Sequence, residues 1–109
     1  MSNRDPKLYL EDIETSIQKI EEYTKNLSLN EFIQDAKTID ATIRNLSVIG
    51  EAANNIPDEV KSRYPHIPWE EIIGMRNKVI HEYFGVDEMI LWKTVKEDLP
   101  ILKKQISEL

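Results

Sequence analysis

Apolar residues recur at spacings of three and four along most of the chain, and no stretch alternates with the period of two that marks a half-buried strand. Leu10, Ile13, Ile17 and Ile20 form the first such seam. Asp5 and Pro6 precede it as an N-cap and a proline at the first helical position, so a helix is predicted from residue 6 to about 26. In "LSLNEF", Ser28 and Glu31 have the spacing of a capping box, and Leu27 and Phe32 that of a hydrophobic staple. Phe32, Ala36, Ile39, Ile43, Leu46 and Ala53 then predict one long second helix reaching about Asn55.

Pro57 opens a short third helix in "PDEVKSRY". The two prolines of "YPHIPW" bias Tyr64 and Ile67 toward extended backbone, making this a stiff connector. Pro68 starts a fourth helix with Trp69, Ile72, Val79 and Ile80 on its apolar face, and Gly85 is expected to stop it. Asp87 caps a fifth, whose seam runs through Trp92, Val95, Leu99, Leu102, Ile106 and Leu109. Pro100 falls inside it, removes one ladder hydrogen bond and is expected to kink it. The prediction is an all-α fold: one helical domain spanning residues 1–109, a bundle of about five helices of which two are long and antiparallel.

Composition narrows the chemistry. With no cysteine there can be no disulfide or thiolate metal site, and two histidines argue against a dedicated metal centre, leaving carboxylates as conceivable Mg²⁺ ligands. No window approaches the ~20 apolar residues of a membrane span, and the first residues lack a signal-peptide core, so a cytoplasmic protein is expected. The net charge of −6 disfavours nonspecific nucleic-acid binding. Charge is uneven, however. Lys61, Arg63, Arg76 and Lys78 outweigh Glu70 and Glu71 between Val60 and His81, which makes that segment +2 and the remainder −8. It reads equally well as ordinary surface variation or as a local anion site on an acidic body.

Within that segment lies "RNKVIHEY", residues 76 to 83. If the fourth helix continues through it, the seam reads Trp69, Ile72, Arg76, Val79, Tyr83 and places Arg76 at a core position. A buried guanidinium needs an anionic partner, an open cleft or a subunit boundary. Glu51 in "IGEAANN" is the candidate partner, in which case the pair would only tie helices together. On one ideal helix His81 would lie about 140° around and about 7.5 Å along from Arg76, while Asn77 would share the histidine's face. Histidine moves protons near neutral pH, and arginine holds a phosphoryl group and neutralises charge developing on it. Without a metal, that pairing suits cleavage of RNA by its own 2′-OH.

The stretch matches the R-x4-H-x-Y pattern of the HepT-like ribonuclease toxins of the HEPN superfamily. The resemblance extends from "IRNLSVIGEAANN" through the "YPHIPW" connector to "KEDLPIL". It implies an all-α fold that dimerises, with Arg76 and His81 as the catalytic pair and Asn77 orienting His81 or touching the phosphate. It also implies Tyr83 as a site-lining residue and the acceptor of AMP units. Those units would be added by a small MNT-type nucleotidyltransferase antitoxin, which requires ATP and Mg²⁺. The chain itself would need no cofactor to cleave RNA. The competing reading is a HEPN domain without useful cleavage that serves as the nucleotidyltransferase's companion. A two-fold axis near the motif would bring Arg76 of one chain toward His81 of another, so a homodimer with the two motif stretches lining one groove is expected.

Overall fold

A computed structural model describes residues 4–81 and 85–109, with His81 described for its backbone alone. The fold is all-α. Helix α1 (Pro6–Thr24) begins where Asp5 accepts from the Lys7 amide at 2.9 Å, with proline in its first turn. Tyr9, Ile13, Ile17, Ile20 and Thr24 are its buried stripe, while Leu10, expected in the seam, is half-buried beside it. Full burial of side chains such as Ile13, Ile17 and Ile20 stabilises the fold by roughly 1.5–3 kcal/mol apiece.

The long second helix is in fact two. Short α2 (Leu29–Ile33) has the expected capping box, with Ser28 and Glu31 each accepting from the other's amide. The chain then breaks at Gln34 and Asp35 before α3 (Ala36–Asn55). The cause is local: the Asp35 carboxylate accepts from the Thr38 amide at 3.0 Å and from its hydroxyl at 2.7 Å, and so starts a new helix. The break also changes the buried face. Ala36 is exposed and Ile43 half-buried, while Ile39, Leu46, Ile49 and Ala53 are buried. Clefts on the α1–α3 surface pair Tyr9 and Asp12 with Val48 to Asn55, and Lys19 and Tyr23 with Ala41 to Asn45, so the two long helices run antiparallel.

Helix α4 (Asp58–Arg63) follows Pro57 and ends at Tyr64, where the connector begins. Ile67 of the connector is buried. The Trp69 indole donates to the carbonyls of Lys61 and Tyr64, both at 3.2 Å, and so fastens the connector to α4.

The fourth predicted helix departs furthest from expectation. It is divided into α5 (Trp69–Ile73) and α6 (Met75–Val79) by a turn at Gly74, and it ends six residues before Gly85. Ile80 and His81 form β1, paired antiparallel with β2 (Gly85–Val86), in register Ile80 with Val86 and His81 with Gly85. The Asp87 amide donates to the Val79 carbonyl at 2.7 Å and extends this pairing to the helix end. Val79 and Ile80 are β-branched and suit an extended exit, and Gly85, at φ +80, supplies the left-handed backbone that a tight reversal needs. Gly85 is thus a hairpin residue instead of a helix stop.

Asp87 caps α7 (Glu88–Lys93), accepting from the Ile90 amide at 3.0 Å. The helix then widens into a π turn (Thr94–Asp98) and resumes as α8 (Leu99–Ser107). Pro100 has no amide proton to give the carbonyl four residues back. The ladder shifts there to an i→i−5 bond from the Leu99 amide to the Thr94 carbonyl. Leu109, expected at the end of the seam, is exposed. Lys96 lies over the Trp92 ring at 4.7 Å and donates to the Thr24 carbonyl at 3.3 Å, tying this helix to the end of α1. Among the described residues no helix is long and apolar enough to cross a membrane.

Candidate active site

The motif straddles the end of α6. Met75 and Val79, one turn apart, are buried and pin α6 to the core, while Arg76, Asn77 and Lys78 between them are all exposed. With 100° per residue, Asn77 projects about opposite the buried pair, and Arg76 and Lys78 about 80° to either side of the core direction. One short helix therefore turns an amide outward and carries a cation on each of its two flanks.

This placement corrects the expectation for Arg76. The buried line runs Trp69, Ile72, Met75, Val79, so a methionine takes the core position and the guanidinium stays in water. The reason is desolvation: the thioether costs little to bury and the guanidinium a great deal. The proposed buried pair with Glu51 is not formed. Among the described residues no ion pair joins Arg76 to a carboxylate, and Glu51 is exposed on α3. It lines a separate cleft of about 580 Å³ with Arg4, Tyr9, Asp12 and Arg44. Lys78 reaches Asp98 of the π turn only at 3.9 Å, with the two side chains 63% and 40% exposed, a contact of little energetic weight.

His81 is not helical, so the angle expected between it and Arg76 on one continuous helix does not apply. Its backbone stands opposite Gly85 in the hairpin, two residues beyond the last turn of α6. The His81 side chain and the whole of Tyr83 lie outside the described residues. What the fold brings together is Arg76, Asn77 and Lys78 on α6 with the backbone of His81 directly after it. Glu51 belongs to another surface. Sequence reasoning overlooked Met75 as the residue that anchors the motif, although its spacing, three after Ile72 and four before Val79, was a readable signal. Lys78, counted in the sequence only toward the charge of its segment, is exposed on the opposite flank of α6 from Arg76.

Beside α6 a groove of about 490 Å³ runs between Met75 and Lys78 on one wall and Ile101, Leu102 and Gln105 of α8 on the other. Among the described residues no cluster of His, Asp or Glu could hold a metal ion.

No solved structure matches the chain. Known sequences do. A protein of Thermococcus cleftensis named "Probable ribonuclease HepT" is 52% identical over 106 residues, covering 97% of this chain and 96% of its own length. One of Methanocaldococcus jannaschii named "Putative RNase MJ1380" is 45% identical over 106 residues, covering 97% of each. The family described as Ribonuclease HepT-like matches residues 13–109, which include every described turn of the α3 to α8 framework and the whole motif. On these grounds the chain belongs to the HepT-like ribonuclease family.

Proposed function

We propose that the protein is a toxin endoribonuclease that cleaves RNA without a metal ion. The observation that carries this reading is the exposed Arg76, with no ion-pair partner among the described residues, five residues before His81 and on the helix that leads into it. A structural arginine would be spent on a neighbouring carboxylate. This one is available to a phosphate.

The chemistry needs no protein nucleophile. His81 takes the proton of a ribose 2′-OH, and the 2′-oxygen attacks the adjacent phosphorus. The bond from phosphorus to the 5′-oxygen breaks, and the leaving oxygen takes up a proton. The products are a 2′,3′-cyclic phosphate and a 5′-OH. Arg76 holds the non-bridging oxygens, on which charge accumulates, through charge-assisted hydrogen bonds. Asn77, beside Arg76, contacts the same phosphate or orients His81.

Regulation, in this reading, falls to an MNT-type nucleotidyltransferase antitoxin that adds AMP to Tyr83. Each AMP brings a phosphate that competes for Arg76 and a nucleoside that occupies the path of the RNA. The competing reading, a non-catalytic companion of the nucleotidyltransferase, is favoured by the net charge of −6.

The deciding experiment is cleavage by purified unmodified protein in EDTA. We expect cyclic-phosphate or 3′-phosphate ends, and loss of most activity in Arg76→Ala and in His81→Ala while both keep wild-type circular dichroism. An absolute requirement for added divalent metal would defeat the mechanism. Toxicity absent on expression alone, or unchanged in His81→Ala, would favour the companion. Intact mass after incubation with the antitoxin and ATP reads the modification: AMP increments on the wild type and none on Tyr83→Phe.

A further inference from the structure

Gly50 sits in the middle of α3, where an alanine would be the better helix former, and it is buried. A Cβ built there meets the Ile73 carbonyl oxygen at 2.9 Å and the Ile72 carbonyl oxygen at 3.5 Å. Both atoms are backbone, so neither can swing away as a side-chain tip would. The missing side chain lets the last turn of α5 press directly onto α3.

The contact falls at a particular place. Ile73 is the final residue of α5, Gly74 makes the turn, and α6 starts at Met75 with Arg76 and Asn77 next. The Gly74 amide bonds back to the Glu70 carbonyl at 3.1 Å, and the Gly74 carbonyl receives the Lys78 amide at 3.2 Å, so the turn couples the two short helices. Helix α3 is itself held by the packed seam of α1. A displacement at Ile73 is therefore taken up on the α5 side and passed into α6. Gly74 differs: a Cβ there meets the Glu70 carbonyl oxygen at 3.4 Å, an ordinary contact.

We infer that Gly50 is a positioning residue for the catalytic motif: its bare backbone sets how closely the α5–α6 turn seats on α3, and hence where Arg76 and Asn77 stand relative to His81. The inference rests on the ribonuclease reading for its kinetic consequence, but not for its structural one. Misplacement of a phosphate-holding group by about 1 Å costs on the order of a hundredfold in rate.

The test compares the full-length wild type, Gly50→Ala and Ile17→Val, the last being a core truncation on α1 remote from the motif. Steady-state RNA cleavage and backbone amide spectra are recorded for each. Gly50→Ala is expected to remain helical, to lose roughly tenfold to a hundredfold in kcat with KM within about twofold, and to shift amide resonances mainly over residues 74–79. Ile17→Val is expected to keep wild-type kcat. Wild-type kcat in Gly50→Ala, or a loss no larger than Ile17→Val shows at the same fall in Tm, would overturn the inference. So would resonance shifts that spare residues 74–79. If Gly50→Ala does not fold, Ile72→Val, which removes one methyl beneath the same turn, is compared with Ile17→Val, and equal kcat overturns the inference. If the wild type cleaves no RNA, the ribonuclease reading fails, and the amide shifts alone decide the role of Gly50.

Discussion

At the scale of single residues, Met75 and Arg76 divide the work of the motif. Two lines satisfy the helical spacing from Trp69 to Val79, one through position 75 and one through 76. Periodicity does not choose between them; the cost of dehydrating a guanidinium does. Met75 is 8% exposed and packs with Ile72 and Val79, so Met75→Ala should destabilise the protein by about 2–5 kcal/mol. Asn77→Ala, on the exposed face, should change stability by less than about 0.5 kcal/mol. Urea unfolding of the two variants checks the contrast, which would vanish if Asn77 were part of the core. The residue types of the candidate site were legible because chemistry limits what arginine and histidine are good for. Their orientation was not, because it depends on which neighbour fills the seam.

Among the elements, those with a capping residue and a periodic face together were legible. Asp5 with Pro6, Ser28 with Glu31 and Asp87 each start a helix where expected. The misread ends share a different cause. Ile80 and His81 leave the helix because they pair with Gly85 and Val86, and that pairing is invisible to any local period. Asp35 was a visible cap, but the apolar spacing continued across it. Its carboxyl is held below the usual carboxylate range by the Thr38 hydroxyl first and the Thr38 amide second. A lowered folded pKa means stability present above the unfolded value and lost as pH falls through the folded one. Asp35→Asn keeps an acceptor for the Thr38 amide but not the charge. Its stability deficit should therefore be full near neutral pH and shrink toward zero as the solution is acidified below about pH 4. Thermal denaturation at several pH values follows this, and a deficit independent of pH would show that the charge contributes nothing.

For the whole molecule, the open matter is how an acidic body handles a polyanion. Arg76 and Lys78 are exposed cations on the two flanks of α6, on a chain with net charge −6. With that net charge one copy offers RNA few cations, and a second copy would double them. The helical angle that first suggested a shared site does not survive the hairpin. Exposure of Arg76 is compatible with a site completed across a two-fold axis. We therefore retain the homodimer as a proposal with its own test. Arg76→Ala and His81→Ala proteins, each inactive alone, are mixed under conditions that exchange subunits. In a heterodimer one composite groove regains both residues and the other has neither, so partial activity should return. No recovery despite confirmed exchange, or a strict monomer in solution, would exclude shared sites.

The π turn carries a consequence for chain length. Leu91 and Leu99 are both fully buried, yet eight residues separate them, which on an uninterrupted α-helix would set them about 80° apart. Seven residues would bring them within about 20° of one direction. The widened turn behaves as a one-residue insertion absorbed inside a helix, so the interior sees α7 and α8 as one continuous ridge while the surface carries an additional residue. A relative lacking that residue, and lacking the proline that favours the wide turn, could present the same inward face from a plain α-helix. Insertions and deletions, ordinarily confined to loops, have a tolerated address here within a helix.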